Sequence, residues 1–329
     1  MNNSGKGVLV TGGLGFVGTA MVHRLSKSRE VTIADRGDFG VEPFLQPLID
    51  SGAVKLIQTD LTRPSDVHER VAAGEFEEVI HLAAAHFIPQ CEQQPVDTYR
   101  ENVFSLLLLL KNLPSGIHLV HFSSAAVYKP AEISHSEDSP LEPCDIYGWT
   151  KMHNEDLVRY YAARKQFSAV NIRLFNALGP GETNPHIFGT ILYQVQQGRK
   201  VIELGNLSPR RDFIHVDDIS WGIEELLEQW PLSDGLTDAL NLGTGRAISM
   251  QHLFEQVREC LDGQISVQTV GQRRRKVERE LLCADVSKLL LMLPRFSPRP
   301  VEEWLEEVVK NPRLRLSSMV EGEDLGAAR

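Results

Sequence analysis

The pentapeptide Tyr147-Gly-Trp-Thr-Lys151 sets a phenol and an ammonium four residues apart, a spacing that brings both to one face of a helix. Upstream, the apolar run from His118 leads into Ser123-Ser124-Ala125-Ala126-Val127-Tyr128, which puts hydroxyls at the carboxyl edge of a parallel sheet, where ligands bind. Phenol, ammonium and hydroxyl together can transfer a proton. A phenol with a pKa near 10 is a poor base at neutral pH, and it works only if its surroundings lower that value by up to about 3 units, roughly 4 kcal/mol. A neighbouring cation does this by stabilising phenolate, which can then take the proton of an alcohol.

A second group of residues is built for a phosphate. Thr11-Gly-Gly-Leu-Gly-Phe-Val-Gly18 follows a strand-like run and opens a helix-like one. It reads either as Gly12-x-x-Gly15-x-x-Gly18 or as Gly13-x-Gly15-x-x-Gly18. In both readings the glycines allow a tight turn, a close approach of backbone to a pyrophosphate, and packing of the next helix whose N–H groups point at the anion. The following strand ends at Asp35, about 20 residues after Gly15, where a carboxylate accepts ribose hydroxyls and repels a 2′-phosphate. That favours NAD over NADP, with Arg36 next to it as the group a 2′-phosphate would need.

The elements that must carry these residues are legible as alternating runs. Strand character appears at Gly7 to Thr11, Glu30 to Asp35, Val54 to Asp60, Glu78 to Ala83, His118 to Ser123 and Ala169 to Phe175. Helical stretches fall at Phe16 to Lys27, Pro64 to Ala73, Val96 to Leu113, Ile146 to Lys165 and Ile187 to Gly198. This order implies parallel strands with crossover helices. The expected fold is α/β, a Rossmann-type doubly wound parallel sheet with a smaller, loop-rich C-terminal substrate-binding region. Residues 1–175 form the dinucleotide-binding part, with some later segments returning to it, 176–315 are mainly the substrate region, and 316–329 form a disordered tail.

Composition narrows the partners. The chain has 329 residues, 42% hydrophobic and 24% charged, with 34 Lys and Arg against 44 Asp and Glu for a net charge of −10. An acidic chain is a poor binder of nucleic acid or anionic membranes, and the stretch Val103 to Leu113 is too short for a membrane span. No secretory signal is visible. The four cysteines show no zinc spacing and read as free thiols in a reducing cytoplasm, and no metal site is expected.

With Asp60-Leu61, His81-Leu-Ala-Ala84, Arg173-Leu-Phe-Asn176, Arg211-Asp-Phe-Ile-His-Val216, Asn241-Leu-Gly-Thr-Gly245 and Ala284-Asp285-x-Ser287-Lys288 added, the chain from roughly residue 6 to 310 resembles the extended short-chain dehydrogenase/reductase family, particularly its nucleotide-sugar epimerases and dehydratases. The resemblance implies NAD as cofactor, Tyr147 as the acid/base, Lys151 on the nicotinamide ribose and Ser124 on the reacting oxygen. It places Gly12, Gly15, Phe16, Val17, Gly18, Asp35, Arg36, Asp60, Leu61, Leu82, Ala83, Ala84 and Asn102 around the cofactor. Lys129 departs from the glycine that relatives commonly have after Val-Tyr.

For a nucleoside diphosphate sugar, the resemblance points to Arg211 and one of Arg273, Arg274 and Arg275, with Arg275 preferred, as a bidentate clamp on the diphosphate. Asn176 resembles the family asparagine beside those phosphates. His86, Ser123, Ser124 and His186 are further candidate substrate contacts, and Leu282 a size gate near the sugar. Dehydratases of the family carry acids directly after the catalytic Ser or Thr, where this chain has Ala125 and Ala126; Glu182 or Asp212 would have to reach the sugar instead. The implied function is an NAD-dependent epimerase acting at C4 through a transient 4-keto sugar, with a 4-ketoreductase, a dehydratase or a non-catalytic dinucleotide-binding homologue as alternatives. The base and the sugar stay open. A homodimer is expected through the helices at Val96 to Leu113 and Ile146 to Lys165.

Overall fold

The computed structural model describes residues 7–270 and 279–315. Arg273, Arg274 and Arg275, and the tail from residue 316, lie outside the described residues.

The first six strands, β1 (Gly7–Thr11), β2 (Val31–Asp35), β3 (Val54–Gln58), β4 (Phe76–His81), β5 (His118–Ser124) and β6 (Ser168–Leu174), lie in one parallel sheet. Next come β7 (Asn176–Leu178), β8 (Val201–Leu204), β9 (Arg210–His215) and β10 (Thr237–Leu242). Of these, β10 returns beside β6, so the seven-stranded order is β10-β6-β5-β4-β1-β2-β3. The chain leaves β1 toward β2 and β3, then crosses back to β4. That reversal opens a crevice at the carboxyl ends of β1 and β4, the place where open α/β sheets bind ligands.

Both faces of the sheet are covered, which explains why its strands read as almost continuous apolar runs. On one face Met21, Val22 and Leu25 of the helix Phe16–Leu25 cluster with Ile219, Ile223 and Leu226 of the helix Val216–Glu228. On the other, Leu106, Leu109 and Leu110 cluster with Val158 and Ala162 of the helix Ile146–Lys165. The helix expected from Val96 to Leu113 is interrupted. It runs as Pro95–Tyr99, a π-helical turn at Arg100–Phe104, and Ser105–Asn112. Such turns insert a residue into the helical ladder and commonly mark functional sites.

The remaining part is built around β9. It pairs in parallel with β7 through Phe213 to His215, and at Arg210 and Arg211 with β13 (Leu281–Leu282). It pairs antiparallel with β11 (Ala247–Ser249). A separate parallel ladder joins β8 to β12 (Ser266–Thr269). Among the described residues no helix is long and apolar enough to cross a membrane.

Candidate active site

One cleft of about 990 Å³ runs over the carboxyl ends of the central strands. Its walls include Gly12, Gly15, Phe16, Val17, Gly18, Asp35, Arg36, Asp60, Leu61, Leu82, Ala83, Ala84, Ser124, Tyr147 and Lys151, and, toward β7 and β9, Asn176, His186 and Arg211.

The glycine turn is sterically obligatory. Gly12 has φ +70°, and a Cβ there would lie 2.7 Å from the Ala83 nitrogen. A Cβ on Gly18 would lie 2.1 Å from the Gly12 oxygen, so the helix Phe16–Leu25 could not start where it does. At Gly15 a Cβ would meet only the Gly12 oxygen, at 3.2 Å, and otherwise project into open space. That cradle lies at a helix N-terminus, where partial positive charge and unpaired N–H groups suit a pyrophosphate. Asp35 ties the turn to its own strand: Oδ2 accepts the Leu14 N–H at 3.0 Å and Oδ1 the Gly37 N–H at 2.8 Å. Further along, Asp60 accepts both the N–H and the hydroxyl of Thr62. Burial alone would raise this carboxyl, but the Thr62 donors together with the Arg36 and Arg63 charges outweigh it and hold Asp60 below the usual range. These residues fit a dinucleotide.

The catalytic elements meet across one packing contact. Asp145 caps the helix Ile146–Lys165 by accepting the Gly148 N–H at 2.7 Å, while Ser124 caps the next short turn by accepting from Ala126 at 3.1 Å. Gly148 is required here, because a Cβ would fall 2.6 Å from the Ala126 oxygen. Ser124 and Tyr147 line the same wall of the cleft. The Lys151 Nζ lies 5.7 Å from the Tyr147 ring centre and donates to the Phe122 carbonyl at 2.8 Å. The protein residues by themselves do not lower the phenol pKa. Burial pushes Tyr147 well above its ordinary value, although the Ser124 hydroxyl works the other way, and it pushes Lys151 down to about 8.

Several expected ligands have other partners. Asn102 does not line the cleft; it is fully buried. Its amide oxygen accepts the Ala85 N–H at 2.7 Å, and its amide nitrogen reaches the Ala85 carbonyl and the Thr150 hydroxyl. It therefore positions the loop after β4 against the catalytic helix. The Ser123 hydroxyl donates to Glu155, which also forms a buried pair with Arg173. His86 accepts at Nε2 from the Asn184 amide at 2.8 Å, a bond that ties the segment after β4 to the one leading into the helix Ile187–Gln196. Asn176 lines the cleft with a buried amide oxygen that lacks a partner. Of the two distant acids, Asp212 is spent on Thr244, Gly245 and Ala284. Glu182 does line the cleft, and burial raises it to about 7 against two backbone N–H donors.

Arg279 is a cleft residue that the sequence pattern did not single out. Its guanidinium donates to the carbonyls of Ala125 and Ala126 at 3.2 and 2.8 Å and to the Cys144 sulfur at 3.2 Å. It thus joins the turn after Ser124 to the segment before Tyr147. No motif marks it, since its partners lie more than 130 residues away in the chain. Arg211, from β9, donates to the Arg279 carbonyl at 2.7 Å and so anchors the main chain just ahead of β13.

The description NAD dependent epimerase/dehydratase family matches residues 8–238. The UDP-glucose 4-epimerase of Corynebacterium glutamicum is 30% identical over 286 residues, covering 81% of this chain and 84% of that protein. The GDP-6-deoxy-D-talose 4-dehydrogenase of Aggregatibacter actinomycetemcomitans is 29% identical, covering 94% of this chain and 99% of that one. Among solved structures, MoeE5 in complex with UDP-glucuronic acid and NAD superposes with a TM-score of 0.76 at 28% identity, over 93% of this chain and 97% of that chain.

Proposed function

The chain belongs to the NAD-dependent epimerase/dehydratase family, and from that premise we propose that it is a nucleotide-sugar epimerase that inverts C4 through a transient 4-keto sugar. NAD is its cofactor, and when bound it supplies an acceptor and donor of hydride. The observation that carries the proposal is the meeting of Ser124, Tyr147 and Lys151 on a wall whose next two side chains, Ala125 and Ala126, end in methyl groups. Methyls neither accept nor donate a proton, so that wall lacks the acids a dehydration would use there.

The geometry supports the following roles. Gly12, Gly15 and Gly18 hold the pyrophosphate, and Asp35 and Asp60 face the adenosine. Tyr147 takes the proton of the sugar hydroxyl and later gives it back, with the Ser124 hydroxyl on the same oxygen. The charge of Lys151 and that of the oxidised nicotinamide both favour phenolate and oppose the effect of burial. Arg211 and Asn176 anchor the diphosphate end while the keto sugar turns over. The exposed apolar side chains of Val96, Phe104, Trp149 and Tyr160 on the two outer helices support a homodimer.

A panel of UDP-, GDP- and dTDP-sugars, read by mass and sugar NMR, tests this. The expected product has unchanged mass, is inverted at one carbon and leaves no net NADH. A second reading, net oxidation or reduction at C4, is supported by the likeness to the talose 4-dehydrogenase; stoichiometric formation of NADH from a sugar alcohol, or its stoichiometric consumption with a 4-keto sugar, would establish it. Loss of one water would point to a dehydratase using Glu182.

A further inference from the structure

Arg36 follows Asp35 at the end of β2, and two acids hold its guanidinium. Nη1 donates to Glu101 Oε1 at 3.0 Å, and Nη2 lies 3.0 Å from Asp38 Oδ2. Arg36, Asp38 and Glu101 all line the cofactor cleft, with Asp35 and Asp60 on the same wall. Glu101 comes from the π-helical turn Arg100–Phe104, far along the chain. The main chain beneath the guanidinium is anchored, because the Gln58 amide donates to the Arg36 carbonyl at 2.8 Å. Any change of partner by Arg36 is therefore a movement of its side chain alone.

An arginine at this point carries what a 2′-phosphate needs, a planar fork with permanent charge. Here both arms of the fork face carboxylates. A phosphate arriving there would have to displace them and then sit among Asp35, Asp60 and the acids it released, all of like charge. Resting on NAD as the cofactor of this cleft, we propose that Glu101 and Asp38 are specificity-determining residues: by occupying Arg36 they withhold it from a 2′-phosphate, and so reinforce the exclusion of NADP that Asp35 begins.

Calorimetric titration of the full chain with NAD and with NADP tests this in the wild type, in Asp38→Asn/Glu101→Gln, and in the same double variant with Arg36→Ala added. The wild type should bind NAD the more tightly; binding neither would overturn the cofactor assignment and the clasp with it. In the double variant NADP affinity should rise about tenfold, the worth of one charge-assisted contact, with NAD affinity unchanged. Adding Arg36→Ala should abolish the gain. An unchanged NADP affinity in the double variant overturns the clasp. So does a gain that survives the loss of Arg36, because it would then come from removing negative charge alone.

Discussion

Lys151 donates to the carbonyl of Phe122 at 2.8 Å, two residues before Ser124 on the same strand. One hydrogen bond thus fixes the helix that carries Tyr147 to the strand that carries Ser124. It also gives the nearly buried Lys151 ammonium, on the cleft wall, the polar partner it needs.

Tyr147→Phe removes the proton-transfer group and leaves the ring in place. Turnover should fall by at least about a hundredfold, while the NAD dissociation constant and the unfolding midpoint stay at wild-type values. Near-normal turnover in this variant would take Tyr147 out of the mechanism.

Gly18→Ala should affect binding and stability together. Its Cβ would lie 2.1 Å from the Gly12 oxygen, so the turn or the helix start must move, a distortion worth about 1–3 kcal/mol. Urea melts should show that loss, and NAD titration should show weakened affinity. A fully stable variant with normal NAD affinity would contradict the close approach.

Arg279→Ala leaves the Ala125 and Ala126 carbonyls and the Cys144 sulfur without their shared donor. Misplacing Ser124 relative to Tyr147 should lower kcat by about ten- to a hundredfold with little change in NAD affinity. Arg279→Lys, with one ammonium in place of a fork, should restore only part of it. A change in stability with no change in kcat would make the residue merely structural.

Acid should destabilise the fold through a buried polar row. Thr11, His81, His121 and Asn171 face one another in register across β1, β4, β5 and β6, linked by Thr11 to His81 at 2.8 Å and His121 to Asn171 at 2.9 Å. Burial, with a smaller push from the Lys151 charge, lowers His81 to about 3, against an ordinary value of 6.5. The unfolded chain binds that proton near pH 6.5 and the folded one does not, so stability is present above 6.5 and falls as pH drops toward 3. Between pH 6.5 and 5 the loss from this residue is roughly 2 kcal/mol. Denaturant melts across that range should show a shallower slope for His81→Gln; an identical slope would remove His81 as the source.

The proposed dimer predicts a light-scattering mass about twice 36.8 kDa. Phe104→Glu, on the exposed side of the interrupted helix, should shift it to the monomer. A wild-type monomer at micromolar concentration would refute the interface.

What the sequence by itself determined is what short-range geometry controls. The strand–turn–helix around Gly12 to Gly18, the carboxylate ending β2, and the Tyr147/Lys151 pair on one helical face all depend on residues within a few positions, or about 20, of each other. Backbone conformation and helical period settle those. The order of strands was partly legible, because alternating β-branched and amphipathic runs admit few connections; the return of β10 beside β6 was not, since no local signal says which edge a late strand joins. Tertiary structure alone decided that Asn102 braces Ala85 and Thr150 rather than the cofactor, that His86 is tied to Asn184, that Glu101 takes Arg36, and that Arg279 joins the two catalytic elements. Each of these is a pair of polar groups brought within hydrogen-bond reach by sheet register and helix packing. A side chain's partner is then set by what the fold places opposite it, and residue type alone carries no record of that.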